Sequence, residues 1–266
     1  MNPPRRLQLF EFCDQQWLQG WLREAFFDCL SFTHNYLQPY YHVVKPFAAW
    51  AHQNKASVIQ DFGSGSGEQI AFVIKTGTKN NIQLPKFILS DLFPQLAAWR
   101  TMRSAMGSEV VDYVEPSLSA LNPAGVTSRY WCIFTAFHHF PPQDAGNFLR
   151  EFTHHADSLC IMELSRRVWP DIIAEFFLGL PVYFFTPFFA SRFKWQKLLF
   201  TTFIPVVSLM VWFDGFISIL RSYTKEEIIE MLPEDCRDDF EVEYHEVPWR
   251  FIPAKATMLT ITRKAR

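Results

Sequence analysis

A short loop in the first quarter of the chain combines an acid with three alternate glycines. The segment VIQDFGSGSGEQI contains an apolar run that ends in Asp61, then Gly63, Gly65 and Gly67, then the start of a helix. Glycine lets the backbone turn sharply and approach a ligand without a Cβ in the way, and the following helix offers free N–H groups. The loop therefore predicts a ligand site that includes Ser64 with these four residues.

A second acid, Asp91, ends the apolar run FILS about thirty residues later. At the tip of a neighbouring strand, its carboxylate can accept both hydroxyls of a ribose. The GxGxG spacing differs from the GxGxxG of dinucleotide enzymes, because Glu68 stands where a pyrophosphate would be bound, and the GK[ST] of a phosphate loop is missing. Two acids without a neighbouring cation suit a ligand with a ribose and a positive charge but no phosphate, and S-adenosylmethionine fits that description.

The elements around these residues predict a parallel sheet. Apolar runs and helical patterns alternate after the first quarter of the chain, which is typical of an α/β sheet covered on both faces. The predicted strands are 57–62, 86–90, 110–114, 130–135 and 159–162, and the predicted helices are 68–76, 94–106 and 142–155. Thr224 and Glu227 form a capping box at the start of a further helix. Strands 240–245 and 256–262 follow, with a connection too short for a crossover helix, so this last pair must be antiparallel.

Over about 57–163 the chain resembles the class I S-adenosylmethionine-dependent methyltransferases. The loop from Asp61 matches their first motif, Asp91 their ribose acid, and TAFHHF the segment that faces the substrate in small-molecule members. The resemblance implies a Rossmann-like three-layer sandwich of seven strands, mostly parallel, with an antiparallel last strand. It also implies S-adenosyl-L-methionine as cofactor. Ser119 aligns where the family often has an acid that touches adenine. Further cofactor contacts implied by the resemblance are Leu92, Thr135 and Phe137.

Three polar side chains are candidates for the chemistry. Methyl transfer is an in-line displacement, so a base is needed only if the acceptor keeps its proton. His138 and His139 follow the fourth predicted strand, and either imidazole could be that base. Glu163 ends the fifth strand at the same edge. Alternatively, one histidine orients the cofactor or caps the next helix, and Glu163 pairs with an arginine that follows it. We expect no metal site.

The N-terminal part predicts helices that cover the core. A helical pattern over 14–30 places Asp14 as its N-cap, and an aromatic stretch over 36–50 predicts a helical pair. Tyr36, Tyr40 and Tyr41 could form an aromatic lid near a sulfonium, although such a stripe is more often core.

A phenylalanine-rich insertion follows the fifth strand. It has two apolar runs, 172–190 and 198–213. Glu175 and three prolines interrupt them, which disfavours spanning helices. One hypothesis is that the insertion caps the substrate pocket. Another is that 172–213 contacts a membrane surface, with Arg192, Lys194 and Lys197 meeting anionic headgroups. A packed helical cap or a dimer interface is the structural alternative.

Bulk properties limit the partners. A net charge of −2 gives no basic field for nucleic acid. Five scattered cysteines without a CxxC pair disfavour disulfides and zinc, and no signal-peptide core follows the N-terminal arginines. We therefore expect a cytoplasmic protein. It could also bind peripherally to the inner face of the membrane.

These patterns predict one methyltransferase domain over 1–266. Its parts are a helical cap (1–54), a cofactor-binding core (55–165), an apolar insertion (170–220) and a C-terminal helix with a strand pair (221–266). The expected activity is methylation of an oxygen of a hydrophobic small molecule such as a lipid, quinone, polyketide or isoprenoid, with a carbon or nitrogen as the alternative acceptor atom. The alternatives are a membrane-associated binding or scaffold protein with an inactive methyltransferase fold, and another use of the cofactor, such as aminopropyl transfer.

Overall fold

The computed structural model describes residues 3–15, 17–189 and 194–264. The chain divides into two compact units. The helical unit consists of Met1–Gln38 and Ser165–Tyr223, and the sheet unit of Pro39–Leu164 and Thr224–Arg266. The assignment of the chain to one domain in four parts stays a prediction, and Arg192 lies outside the described residues.

The secondary structure alternates in the order expected for an α/β chain. The strands are β1 (Val58–Phe62), β2 (Lys86–Ser90), β3 (Val111–Tyr113), β4 (Tyr130–Phe134), β5 (Ser158–Glu163), β6 (Phe240–Pro248) and β7 (Lys255–Arg263). The α-helices of the described residues are α1 (Gly20–Phe32), α2 (Val44–Gln53), α3 (Glu68–Lys79), α4 (Leu96–Met106), α5 (Pro142–His155), α6 (Trp169–Ala174), α7 (Leu180–Phe184), α8 (Trp195–Leu198), α9 (Val206–Arg221) and α10 (Lys225–Met231).

The sheet has seven strands in the order β3-β2-β1-β4-β5-β7-β6. Strands β1 to β5 are parallel, with Val58 opposite Lys86 and Tyr130 opposite Ser158. Strand β7 is antiparallel to both of its neighbours, β5 and β6. This confirms the predicted seven-stranded, mostly parallel sheet with a reversed last strand. The order changes direction between β1 and β4, and ligands of open α/β sheets bind beyond the carboxyl ends of the strands at such a point.

Helices cover both faces of the sheet. On one face, a single apolar cluster joins Phe47 of α2, Val73 of α3 and Trp99 of α4 to the strands. On the other face, Phe148 of α5 packs against Phe62 of β1, with ring centroids 5.8 Å apart. The three-layer arrangement inferred from the strand–helix alternation is therefore confirmed.

The capping box before α10 is present with both of its hydrogen bonds. The amide of Glu227 donates to the hydroxyl of Thr224 (3.3 Å), and the amide of Thr224 donates to the Glu227 carboxylate (2.9 Å). The sequence was sufficient to predict the start of this helix, because the two partners lie only three residues apart.

The predicted N-cap of the first helix is wrong. Helix α1 begins at Gly20, and Asp14 lies in a short 3-10 turn, where it accepts a hydrogen bond from the Arg221 guanidinium (3.1 Å). Asp214 of α9 holds this turn, because its two carboxylate oxygens accept from the amides of Phe12 and Cys13. A partner about two hundred residues away thus overrides the local helical pattern. Likewise, the pair predicted over 36–50 is a π-helical turn, Thr33–Leu37, followed by α2 alone.

The helical unit contains segments with the length and composition of membrane spans. Helix Trp169–Phe188 meets these criteria, and so does the pair Trp195–Phe203 and Val206–Arg221 if its two helices, bent by 62°, are counted together. Only 28% of the apolar stretch in the first helix is buried, whereas a core helix of a soluble protein is mostly buried.

Candidate functional site

The loop after β1 needs glycine at three positions, for different reasons. Gly63, Gly65 and Gly67 have φ of +66°, +52° and +83°. A Cβ at Gly63 would lie 2.9 Å from the Ala136 Cβ, and one at Gly67 would lie 2.8 Å from the Met102 Cε. A Cβ at Gly65 would meet nothing within 4 Å. Gly63 is therefore required by packing against Ala136 and Gly67 by its left-handed backbone, while Gly65 borders open space that a ligand can enter.

Asp61 holds this loop from inside. Its buried carboxyl accepts hydrogen bonds from the Ser64 hydroxyl (2.6 Å) and from the Cys132 thiol (3.4 Å). The amide of Ser90 donates to the Ser64 hydroxyl, which ties the loop to β2. Burial raises the pKa of Asp61 to about 7. These contacts give Asp61 and Ser64 a structural role, and the cofactor contacts predicted for them stay predictions.

Asp91 faces the glycine loop at the end of β2. The Gly65 amide donates to its Oδ2 and the Phe93 amide to its Oδ1, both at 2.8 Å. The Trp99 indole donates to the Gly65 carbonyl (2.9 Å), which fixes the loop from the helix side. Each carboxylate oxygen keeps a second lone pair, so the group can still accept from the hydroxyls of a ribose. Beside it, Leu92 and Phe93 are 52% and 76% exposed and offer an apolar surface.

The segment after β3 lies against the same corner. The Leu118 amide donates to the Asp91 carbonyl (3.0 Å) and the Ser117 hydroxyl to the Leu92 carbonyl (2.6 Å). Ser119 uses its hydroxyl to accept from the Leu121 amide (3.2 Å). The structure thus places Ser119 near the residues predicted to bind the nucleoside, and its adenine contact stays a prediction.

Thr135 follows β4 in a left-handed conformation, with φ of +52°. This conformation is costly for a β-branched residue and is found where the surroundings impose it. Here the Thr135 amide donates to the Met162 carbonyl (2.7 Å), and its hydroxyl is hydrogen-bonded to that of Tyr40. Burial raises the pKa of Tyr40 well above its usual value, and the nearby carboxyls of Glu163 and Asp61 add to this. The phenol therefore stays protonated.

His138 and Glu163 form a buried pair at the carboxyl ends of β4 and β5. The Glu163 carboxylate accepts from the His138 amide (3.0 Å) and contacts the ring Nδ1 (2.7 Å). An ionised carboxylate can only accept, so Nδ1 carries the proton, and in the neutral form of the ring the lone pair is on Nε2. The pair therefore has the geometry of a general base with an orienting group.

The two residues beside His138 in the sequence, Phe137 and His139, have different surroundings. The His139 ring lies 4.3 Å from the His138 ring and is only half-buried. Phe137 is buried and packs against Phe140 and Phe148. The Phe137 ring is therefore part of the hydrophobic core, and a cofactor contact of this residue stays a prediction. Of the two histidines, His138 is the one that bonds to Glu163.

Sequence reasoning missed two contributors, Trp99 and Ser117. The indole of Trp99 bonds the loop from α4, and Ser117 fixes Leu92. Trp99 could have been noticed as a large residue in the first turn of the helix after Asp91, whereas Ser117 lies in an irregular segment without a pattern.

Comparison with solved structures gives the same fold. The plantazolicin methyltransferase BpumL, solved with S-adenosylhomocysteine, has a TM-score of 0.55 at 11% identity, covering 91% of this chain and 90% of its own. An O-methyltransferase family protein from Burkholderia thailandensis has a TM-score of 0.53 at 17% identity, and the match covers 93% of this chain and 64% of its own.

The O-methyltransferase NcsB1 of neocarzinostatin biosynthesis, solved with S-adenosylhomocysteine and 1,4-dihydroxy-2-naphthoic acid, has a TM-score of 0.51 at 14% identity. This match covers 90% of the present chain and 57% of NcsB1, so the chain spans less than two thirds of the length of these last two proteins. No protein-family model and no curated protein sequence matches the chain. The fold is that of the class I methyltransferases, as the motifs predicted.

Proposed function

We propose that the protein is an S-adenosylmethionine-dependent methyltransferase that acts on a hydroxyl group of a hydrophobic small molecule. The observation that carries this proposal is the contact between the Gly65 amide and the Asp91 carboxylate, beside a glycine that borders open space. A pyrophosphate would be repelled by Asp91 and by Glu68 at the start of α3, while a cationic nucleoside would be attracted.

The residues present fit this cofactor, which supplies a methyl group on a positively charged sulfur when bound. Asp91 would accept the ribose hydroxyls. Leu92 would pack on the base, and the backbone of Gly63 and Gly65 would allow close approach of the nucleoside. The strained Thr135, held by Tyr40, fixes the loop after β4 at the same edge of the sheet.

The pair of His138 and Glu163 supports transfer to oxygen. In this mechanism, His138 Nε2 takes the proton of the acceptor hydroxyl, and Glu163 stabilises the resulting imidazolium through Nδ1. The bond from Glu163 to the His138 amide prevents the acid from rotating away. A neutral amine would need this arrangement less, because its nitrogen has a lone pair that can attack before any proton is lost.

The acceptor class is supported by two independent features. NcsB1, which shares the fold, was solved with an aromatic hydroxy acid. In the present chain, Phe93 is 76% exposed beside Asp91 and offers an apolar surface at the site. Because a pocket selects its ligand by apolar shape with a few polar groups, a lipid, quinone, polyketide or isoprenoid is the proposed class. A cytoplasmic location is proposed with it and is supported by the five free thiols.

The test is mass spectrometry of product formation. The purified chain is incubated with S-adenosylmethionine and either 1,4-dihydroxy-2-naphthoic acid or a total lipid extract. A species heavier by one methylene, formed together with S-adenosylhomocysteine, supports the proposal. His138→Asn should abolish the product, while His139→Asn should retain most of it. Cofactor binding without any methylated product would instead support the binding or scaffold alternative. In a parallel incubation with decarboxylated S-adenosylmethionine, a gain of one aminopropyl group together with methylthioadenosine would identify the third candidate.

A further inference from the structure

In the helical segment that follows β5, apolar side chains face outward and the charged side chain faces inward, the opposite of a surface helix in a soluble protein. Every exposed side chain between 173 and 189 is apolar. The one Asp, Glu, Lys or Arg in that range is Glu175, whose Oε1 is buried and has no hydrogen-bond partner among the described residues. It fits against two glycines, since a Cβ at Gly179 or Gly215 would lie 2.4 or 2.6 Å from Oε1. A surface helix normally places its charges outward and its apolar stripe inward.

The same reversal extends over the helical unit. All but three of the exposed large apolar side chains of the described residues belong to this unit, and the three are Leu92, Phe93 and Phe251. We call the exposed apolar residues of the segments after β5 the aromatic surface. Its members are Trp169, Ile173, Phe176, Phe177, Leu178, Phe185, Phe188, Phe189, Trp195, Phe203, Ile204, Val206 and Leu209.

Three hydroxyl groups of these segments donate to the protein's own backbone. Thr186 donates to the Tyr183 carbonyl (2.8 Å), Thr202 to the Phe184 carbonyl (2.7 Å) and Ser208 to the Thr201 carbonyl (2.8 Å). A lipid environment offers no hydrogen-bond partners, so polar groups that face it must bond within the protein, as these hydroxyls do.

We propose that the aromatic surface docks the protein on a lipid bilayer. A protein partner would be expected to find about one hydrogen bond per 100–200 Å² of interface. The exposed side chains from 173 to 189 offer no donor or acceptor, so a second copy or another protein fits this surface poorly. A hydrocarbon layer needs none, and Trp169 and Trp195 suit the headgroup level where indoles are enriched.

The docking is peripheral. Two ion pairs connect the chain beyond this helix to α1: Lys194 with Glu24 at 2.6 Å, and Lys197 with Asp28. Residues 28–37 are helical and cover about 15 Å at ~1.5 Å per residue, before the sheet unit begins at Pro39. A hydrocarbon core is about 30 Å thick, so Asp28 cannot lie on its far side while the sheet unit stays in water.

These ion pairs also correct the expectation that the insertion's lysines meet anionic headgroups. Lys194 and Lys197 are engaged by acids of α1 instead. The attraction to the bilayer should therefore come from apolar contact, and should depend little on lipid charge or salt.

Flotation of the full chain with vesicles of phosphatidylcholine alone tests the proposal. We expect the protein to float with them, in the same fraction at ~0.1 and ~1 M NaCl, although the Debye length falls from about 10 to about 3 Å. Phe177→Asp and Phe188→Asp, at sites 67% and 62% exposed, should each lower the partition coefficient about tenfold or more. Phe251→Asp, at a site 59% exposed in the sheet unit, is the matched control and should change it less than about twofold.

Circular dichroism and thermal midpoints establish that the variants fold. The proposal is overturned if the wild type floats with neither phosphatidylcholine nor phosphatidylglycerol vesicles, or if it floats only with the anionic ones and is released by salt. It is also overturned if the wild type is a dimer without lipid that Phe177→Asp dissociates. Because cofactor binding is measured without lipid, failure here is distinguishable from failure of the methyltransferase proposal.

Discussion

The buried carboxyl of Glu175 makes a quantitative prediction about stability and pH. Burial raises its pKa from 4.5 to about 7. Each pH unit is worth about 1.4 kcal/mol, so the difference corresponds to about 3 kcal/mol. Below pH ~4.5 the carboxyl is protonated in both states and contributes no pH dependence. As the pH rises towards 7, only the unfolded state releases the proton, so the free energy of unfolding falls, and above pH 7 the full loss is present.

Glu175→Gln removes this titration while keeping the shape of the side chain. We expect the variant and the wild type to differ by less than about 1 kcal/mol at pH 4, and the variant to be more stable by about 3 kcal/mol at pH 8. Urea unfolding followed by circular dichroism measures both values, and equal m-values show that the same surface is exposed.

A matched control is Glu230→Gln, which changes an exposed glutamate of α10 and should alter stability by less than about 0.5 kcal/mol at either pH. The reasoning is refuted if the stability difference between Glu175→Gln and the wild type is the same at pH 4 and pH 8. That result would mean that Glu175 meets water or a cation in the folded protein.

Three further predictions concern the site. Gly65→Ala should cost about 1 kcal/mol of stability but weaken S-adenosylhomocysteine binding more than tenfold. Gly67→Ala, at a buried position with φ of +83°, should cost more stability. Calorimetry and thermal melts separate the two effects. Glu163→Gln should leave cofactor affinity within about twofold and lower kcat about thirtyfold, the equivalent of one charge-assisted hydrogen bond of ~2 kcal/mol; an unchanged kcat in a turnover assay with S-adenosylmethionine would count against the base. Tyr40→Phe should lower the free energy of unfolding by about 1 kcal/mol, because it leaves the half-buried Thr135 hydroxyl with one partner fewer, and urea titration measures this loss.

The local part of the architecture could be predicted because it depends on residues close in sequence. Alternation of apolar runs and helical patterns was sufficient for β1 to β5, and the capping box for the start of α10. Asp91 was found because a strand end brings a side chain to a known edge of the sheet. The antiparallel β7 followed from the length of one connection.

The remainder depends on contacts that no local pattern encodes. The start of α1 is displaced by Asp214, about two hundred residues away. The inward role of Asp61 depends on Cys132 of another strand, although its acidity suggested a contact with a cation. The pairing of Glu163 with His138 rather than with His139 depends on which histidine the short 3-10 turn directs inward.

The orientation of the phenylalanines likewise could not be read from composition, because a run such as FFLGLPVYFFTPFF is apolar on every side. Only the structure shows that Tyr183 faces the core while Phe177 and Phe188 face outward. Whether these phenylalanines are buried or exposed therefore depends on tertiary packing, which the sequence pattern does not show.

The central claim is that the loop around Gly65 and the carboxylate of Asp91 bind a cationic nucleoside. Isothermal titration of the purified chain with S-adenosylmethionine and with S-adenosylhomocysteine tests it most directly. We predict saturable binding of at least one of them, and a loss of at least about a hundredfold in Asp91→Ala, because two charge-assisted hydrogen bonds to a ribose are removed. No binding of either ligand to the folded wild type, or equal affinity in Asp91→Ala, would contradict the claim.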